Sequence, residues 1–370
     1  MILISRLLGG LNRRLPLSPK ASDLSHLGQV SVVVPTLNEA QRIGPCLAGL
    51  SRQSYAVREI LVVDSCSQDG TPELVKAAQQ KDPRYRLLSD HPLPADWVGR
   101  PWALQTGFLE SAEASEWILG IDADTQPQPG LVASLLKAAA ADNLDLVSLS
   151  PQFILKHPGE WWLQPALLVT LIYRFGAGGE VVQTPDRVLA NGQCFLIRRS
   201  LLVKLGGYTG AKGSFCDDVT LARQAAAQGA RVAFLDGANL LRVRMYEGMA
   251  ETWQEWGRSL DLKDATKPGQ TWADCWFLLT VQGLPLPLVL AGLWLHPWSL
   301  PLAIDWGLNL FLLLLRLGVL SGIRTSYAPS ASKGRWLFWL SPLADPLATL
   351  RIWLSASRRP TTWRGRTYDV

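Results

Sequence analysis

Early in the chain, three apolar runs each end in carboxylates or amides, and that recurrence constrains the fold more than any other feature. The run at 30–34 leads into Pro35-Thr36-Leu37-Asn38-Glu39, and the run at 60–63 ends in Asp64, followed by Ser65-Cys66-Ser67-Gln68-Asp69-Gly70. The third run, 117–121, ends in Asp122-Ala123-Asp124. Short runs rich in β-branched residues and bounded by turn residues are strands. Helical patterns at 72–80 and 131–141 lie between them, and further strand runs follow at 144–149 and 232–235. Strands alternating with helices predict an α/β domain with a mostly parallel sheet, here over residues 29–241. In such a sheet ligands bind outside the carboxyl ends of the strands. The polar residues that close these runs are therefore where chemistry is expected.

A length of 370 residues allows about two folding units. Hydrophobic residues make up 48% and charged residues 18%, against roughly 25% charged in a soluble domain. That excludes intrinsic disorder and argues against an ordinary fully soluble protein. The five cysteines (Cys46, Cys66, Cys194, Cys216, Cys275) are odd in number and never spaced Cys-x-x-Cys, so neither a zinc site nor a disulfide framework fits. The net charge is +5, with cations clustered beside apolar segments and not along an aromatic-interleaved stripe. Nucleic acid is not expected as a partner.

Beyond Trp272 the composition changes. Residues 275–295 are nearly free of charge and match the roughly 20 residues a bilayer demands. A second stretch, 300–320, carries Asp305 and Arg316, whose spacing places them within about 20° on a helical wheel and on one expected buried face. The stretch 336–354, broken by Pro342, Asp345 and Pro346, reads as a re-entrant or interfacial hairpin, with a kinked third span as the alternative. Basic residues flank it, including Arg324, Lys333, Arg335, Arg358 and Arg364, and the positive-inside rule places both basic segments in the cytoplasm. The expectation is a multi-pass protein of the cell membrane with its α/β domain in the cytoplasm. Its parts are an N-terminal segment, 1–28, suited to an interface; the α/β domain, 29–241; an amphipathic collar, 242–272; and a membrane region with a basic tail, 273–370. The apolar run at 161–173 is too short to span and reads as interfacial or as a buried core helix.

The acids carry the chemistry. Asp64 and Asp69 suit hydrogen bonds to a base and ribose, or they cap the following helix. Asp122 and Asp124, two apart where a strand ends, suit a hard divalent cation, since Mg²⁺ typically takes one or two carboxylates plus substrate phosphates. Asp217 and Asp218 open a helix. There they serve the helix dipole, or one is a general base for an acceptor hydroxyl.

With four motifs in order, residues 30–258 resemble glycosyltransferase family 2, with its GT-A nucleotide-diphosphosugar fold. The resemblance implies nucleotide-pocket roles for Pro35, Asn38, Glu39, Asp64 and Asp69, and for Arg100 in Trp97-Val98-Gly99-Arg100-Pro101, where relatives usually have Lys. It makes Asp122 and Asp124 the Asp-x-Asp that binds metal and sugar diphosphate, with Mg²⁺ or Mn²⁺ as cofactor. Asp218 matches the expected base, and Asp217 stands where the family usually has Glu. Gln254-Glu255-Trp256-Gly257-Arg258 departs from the Gln-x-x-Arg-Trp of processive membrane relatives. With Arg244-Met245-Tyr246 it is instead similar to transferases acting on carotenoids and hopanoid-type lipids, so Gln254, Trp256 and Arg258 become acceptor-side candidates. The implied function is inverting transfer from a nucleotide-diphosphosugar to the hydroxyl of a hydrophobic acceptor, a carotenoid or similar terpenoid. Alternatives are a ceramide, glycerolipid or polyprenyl-phosphate acceptor, or a non-catalytic nucleotide-sugar-binding membrane scaffold.

Overall fold

The computed structural model describes residues 2–9, 14–176, 178, 180–182, 184–257, 260, 262–294, 299–329, 332–358, 362–363 and 366–367. The chain divides into two compact units. One comprises Arg13–Phe153, Gly178–Met245 and Thr361–Val370; the other comprises Met1–Asn12, Ile154–Ala177 and Tyr246–Pro360.

The first unit is built on a sheet whose strands are β1 (Val30–Thr36), β2 (Val57–Asp64), β3 (Tyr85–Ser89), β4 (Trp117–Ile121), β6 (Leu146–Ser150), β8 (Glu180–Val182), β9 (Cys194–Arg198) and β10 (Val232–Asp236). Their order is β3-β2-β1-β4-β9-β6-β10-β8. A small second sheet joins β5 (Thr125–Pro127), β11 (Leu241–Val243) and β7 (Gln152–Phe153). The main sheet is mixed: β9 lies antiparallel between β4 and β6, and β8 is antiparallel to β10.

Alternation along each strand explains the layering. Val32 and Val34 of β1, Ile60 and Val62 of β2, and Leu119 of β4 pack on one face with the Ile43–Ser51 and Leu131–Ala141 helices. Val33, Leu61, Val63 and Ile118 point the other way, onto the Gly99–Leu109 and Asp217–Ala227 helices. Such period-two segregation is what a sheet covered on both faces requires. Gly107 lets the Gly99–Leu109 helix approach β1 closely, since a Cβ there would lie 2.3 Å from Val33 Cγ1.

Strand order reverses at β1, with β2 and β3 to one side and β4 to the other. Pairing of β1 with β2 continues to Thr36↔Asp64, but pairing with β4 stops at Val33↔Gly120. The strands part at their carboxyl ends, which is where open α/β sheets bind ligands.

The second unit is helical. Its Pro158–Phe175 helix buries Trp161, Leu163, Leu167 and Tyr173, so the run at 161–173 is a core helix. The N-terminal Ile2–Gly9 helix packs into this unit, with Leu3 buried and Arg6 Nη1 donating to the Tyr173 carbonyl at 3.0 Å.

The multi-pass expectation is corrected here. Among the described residues one helix, Leu300–Ser326, is long and apolar enough to cross a membrane, or two if the bent pair Pro268–Gly283 and Pro285–Trp294 counts as one span. The physical reason is a break: a π-helical turn at Leu279–Gly283 precedes Pro285, and the pair bends by 44°. The 336–354 stretch likewise divides, into a 3₁₀ helix, Arg335–Ala344, and an α-helix, Asp345–Ser357. Residues 295–298, between the two apolar stretches, lie outside the described residues, as does most of the basic tail.

Asp305 and Arg316 do not share a buried face. Arg316 is buried and pairs with Asp345, Nε to Oδ2 at 2.9 Å, while Asp305 is exposed and accepts from Asn309. The stripe they occupy is covered from Asn309 onward, and Asp305 lies before that cover begins.

All five cysteines are described, and none is in a disulfide; Cys66 alone is exposed.

Candidate active site

The parting of β1 and β4 is lined by loops that tie themselves together. Asn38 adopts a left-handed φ of +55°, a conformation that Asn tolerates better than most residues. There its N–H donates to Ser67 Oγ at 2.8 Å and its Oδ1 accepts from the Gln68 N–H at 2.9 Å. The β1 loop is thereby knitted to the β2 loop. Asp64, buried at the end of β2, accepts from Ser67 N–H, Ser67 Oγ and Thr36 Oγ1. Asp69 accepts from Ala40 N–H and from the Thr71 N–H and Oγ1. Slight burial works the other way, but those donors hold the Asp69 carboxyl below the usual carboxylate range. Asp69 thus anchors the start of the Thr71–Lys81 helix, and Asp64 holds its own turn; a carboxylate has about four lone-pair sites, so neither is exhausted. Glu39 is buried, and its N–H donates to Thr71 Oγ1. Pro35 continues β1 opposite Val63.

Across the opening, Arg100 in the first turn of the Gly99–Leu109 helix gathers the remaining acids. Its Nε and Nη2 reach Asp122 Oδ1 at 3.0 and 2.9 Å, and its Nη1 bonds Asp217 Oδ2. Nη2 also donates to the Gly192 carbonyl at 2.9 Å. Burial pulls the guanidinium down, but Asp122, Asp217 and Asp218 together hold its pKa well above the ordinary value. It is a permanent cation.

Asp217 and Asp218 sit in the first turn of their helix, yet capping accounts for only one of their bonds. Asp218 Oδ1 accepts from the Val219 N–H at 2.8 Å, whereas Oδ2 accepts from the Gly192 N–H at 2.6 Å. Asp217 turns to Arg100 and is buried, with 4% of its side chain exposed. Burial pushes the Asp218 carboxyl up to about 6, and the like charge of Asp217 adds to it, against the opposing pull of Arg100 and the two N–H donors. Burial raises Asp217 as well, opposed first by Arg100. A half-buried carboxyl titrating near neutrality suits proton abstraction.

Gly192 was not legible as a site residue, although Asn-Gly before an apolar run is a turn signal. It reaches the site because β9 is antiparallel: Cys194 pairs with Ile121, so the entry to β9 lies at the edge where β4 exits. The turn is fixed by Asn191 N–H to Ser148 Oγ at 2.7 Å and by Gln193 N–H to Asn191 Oδ1 at 3.0 Å.

No group of three or more His, Cys, Asp or Glu that could hold a metal occurs among the described residues. Asp122 and Asp124 nonetheless fit a cation completed by substrate, since two carboxylates at a strand end supply hard oxygen donors and a diphosphate would supply others. The Asp124 carbonyl accepts from the Arg244 N–H at 3.3 Å, tying this turn to the residue after β11.

The acceptor-side candidates lie in the helical unit. Gln254 is exposed and Trp256 is buried, 6% exposed, within a π-helical turn, Thr252–Trp256. Arg351 clasps that turn, donating to the carbonyls of Trp253 and Gln254 at 2.7 and 3.1 Å. Arg258 lies outside the described residues.

Residues 31–206 match the model for "Glycosyl transferase family 2". The chain is 23% identical over 139 residues to the uncharacterized glycosyltransferase YibD of Escherichia coli, covering 38% of each chain. It is 25% identical over 249 residues to the 4,4'-diaponeurosporenoate glycosyltransferase of Staphylococcus haemolyticus, covering 65% of this chain and 64% of that one. The matched segment thus spans less than two thirds of either relative. Among solved structures, the mannosyltransferase PcManGT from Pyrobaculum calidifontis, in complex with GDP-Man and Mn²⁺, superimposes with a TM-score of 0.51 at 19% identity, covering 96% of this chain and 94% of that one. Residues 31–206 and the fold around them are thus similar to those of family 2 glycosyltransferases.

Proposed function

We propose that the protein transfers a sugar, with inversion, from a nucleotide-diphosphosugar to a hydroxyl of a hydrophobic acceptor. The observation that carries the reading is Asp218: a carboxyl titrating near 6, held by two backbone N–H groups and, among the described residues, bonded to no cation, beside an Asp217 that is. Asp218 takes the acceptor's hydroxyl proton as that oxygen bonds to the anomeric carbon. The anomeric bond to the diphosphate breaks on the opposite face, so a single displacement inverts the centre. Asn38, Glu39, Asp64 and Asp69, with Pro35, frame the nucleotide pocket. Asp122 and Asp124 would hold Mg²⁺ or Mn²⁺, which when bound supplies charge neutralisation of the leaving diphosphate.

Two observations support a hydrophobic acceptor. The Leu300–Ile323 helix leaves Ile304, Leu308, Phe311 and Leu314 exposed, and an apolar patch of that kind marks an interaction site. The relative from Staphylococcus haemolyticus is named a 4,4'-diaponeurosporenoate glycosyltransferase, which supports a carotenoid or similar terpenoid over a soluble sugar. Gln254 and Arg258 remain acceptor-side candidates, whereas buried Trp256 would act through packing.

The test is a screen of nucleotide sugars against a membrane lipid extract, with products identified by mass spectrometry and Asp218→Asn as control. A glycosylated lipid made by the parent and not by Asp218→Asn is expected. Efficient transfer to a water-soluble sugar with none to lipid would refute the acceptor class, and unchanged turnover by Asp218→Asn would refute the base.

A further inference from the structure

We propose that Gly192 is a positioning residue: the lack of a side chain there is what lets one residue hold the Arg100 guanidinium by its carbonyl and the Asp218 carboxylate by its N–H. The inference rests on the reading of Asp218 as base, because it assigns what keeps that carboxylate in place.

A Cβ on Gly192 would lie 2.2, 2.7 and 2.9 Å from Nη2, Cζ and Nη1 of Arg100. No backbone reason demands glycine, since Gly192 is absent from the residues with positive φ. The turn is also pinned without it, by Asn191 N–H to Ser148 Oγ and by the reciprocal Ser148 Oγ to the Asn191 carbonyl at 3.0 Å. An added methyl group therefore meets a side-chain end, not backbone. The guanidinium must give way, and it cannot do so while keeping Asp122, Asp217 and the Gly192 carbonyl, because a planar fork satisfies those three only in one pose. Displacing it uncouples the Asp122 side of the site from the Asp217–Asp218 side.

The test is a double-mutant cycle on the full chain with Gly192→Ala, Arg100→Ala and the pair. Thermal unfolding without ligand and steady-state kinetics with the donor found in the screen are the two readouts. In the parent, Gly192→Ala should lower Tm and reduce kcat by about tenfold or more, with a smaller change in KM; in the Arg100→Ala background it should change neither Tm nor kcat further. Equal costs in both backgrounds, or a Gly192→Ala protein with parental kcat and KM, would overturn the proposal. Should Gly192→Ala alone fail to fold, a folded double variant supports the assignment and an unfolded one overturns it. The failures are separable: an active Asp218→Asn would remove the base, while the ligand-free Tm coupling of Gly192 to Arg100 would stand.

Discussion

Catalysis that depends on Asp218 as a base must fail on the acid side, and the structure says where. The carboxyl is pushed up to about 6 by burial and by Asp217. A base with that pKa is about nine-tenths ionised at pH 7 and about one-tenth ionised at pH 5, so kcat/KM should fall roughly tenfold between those values. Asp217→Asn removes the neighbouring like charge and frees Arg100 for Asp218, and both changes favour the carboxylate. The acid limb should therefore move to lower pH in that variant, while Asp218→Asn should lose about 10²–10⁴ in kcat on the plateau above pH 7, the usual size of a general-base contribution, and show a smaller deficit at pH 5, where the parent's own base is mostly protonated. Because the two acids interact, the limb reports the pair and not a private constant of either residue. The stability effect has the opposite sign. The fold binds the Asp218 proton more tightly than the unfolded chain does, so the contribution of this group declines as pH rises to about 6, while activity climbs. The assay is initial-rate donor turnover from pH 4.5 to 8, with folding followed by tryptophan fluorescence at each pH. A flat profile through pH 5, or an unmoved limb in Asp217→Asn, would refute the reasoning.

Asp124→Ala should abolish stimulation of donor turnover by Mn²⁺ or Mg²⁺ without unfolding the chain; full parental activity in excess chelator would count against the metal role. Asp345→Ala strands Arg316, only 2% exposed, and should cost about 3–5 kcal/mol, whereas Arg316→Met with Asp345→Leu should be near neutral or stabilising; equilibrium denaturation of the two variants decides this. Gly107→Ala gains roughly 1 kcal/mol of helix propensity but forces a methyl group against Val33 Cγ1 at 2.3 Å, and overpacking costs about 1–3 kcal/mol. It should lower Tm and, by moving the helix that carries Arg100, raise the donor KM.

How much of the fold could be read in advance follows from which signals are local. β4 and the Leu131–Ala141 helix coincide with the ranges read from pattern alone, and β1, β2, β6 and β10 differ by a few residues at their ends. These are the segments whose apolar period agrees with burial on two faces. The Cys194-Phe195-Leu196-Ile197 run of β9 is equally apolar, but its antiparallel insertion between β4 and β6 depends on partners distant in sequence. Direction in a sheet leaves no mark on composition. The helical unit shows the converse failure. Hydropathy alone made 275–295 a span, yet Gly283 and Pro285 interrupt it, and Arg316 was matched with Asp305 on its own helix when its partner was Asp345, 29 residues away. A helical wheel sees one helix and cannot see what covers it.

The site divides along the same line. Side chains whose chemistry follows from their type were legible, and Asp122, Asp217, Asp218 and Arg100 do come together. What organises them was not, because it is a backbone N–H, a carbonyl and an empty space at Gly192. The sequence also left two roles open at Asp217 and Asp218, helix cap or base, and the two carboxylates have different partners. Asp217 is spent on Arg100, while Asp218 meets the helix dipole with one oxygen and an N–H from another element with the other. Arginine in place of lysine acquires a reason here as well. An ammonium is a compact charge, whereas a guanidinium presents five donors in one plane. Here that plane has Asp122, Asp217 and the Gly192 carbonyl on its edges. One guanidinium thus joins Asp122 and Asp217 through donors of a single plane, which an ammonium at that position would lack.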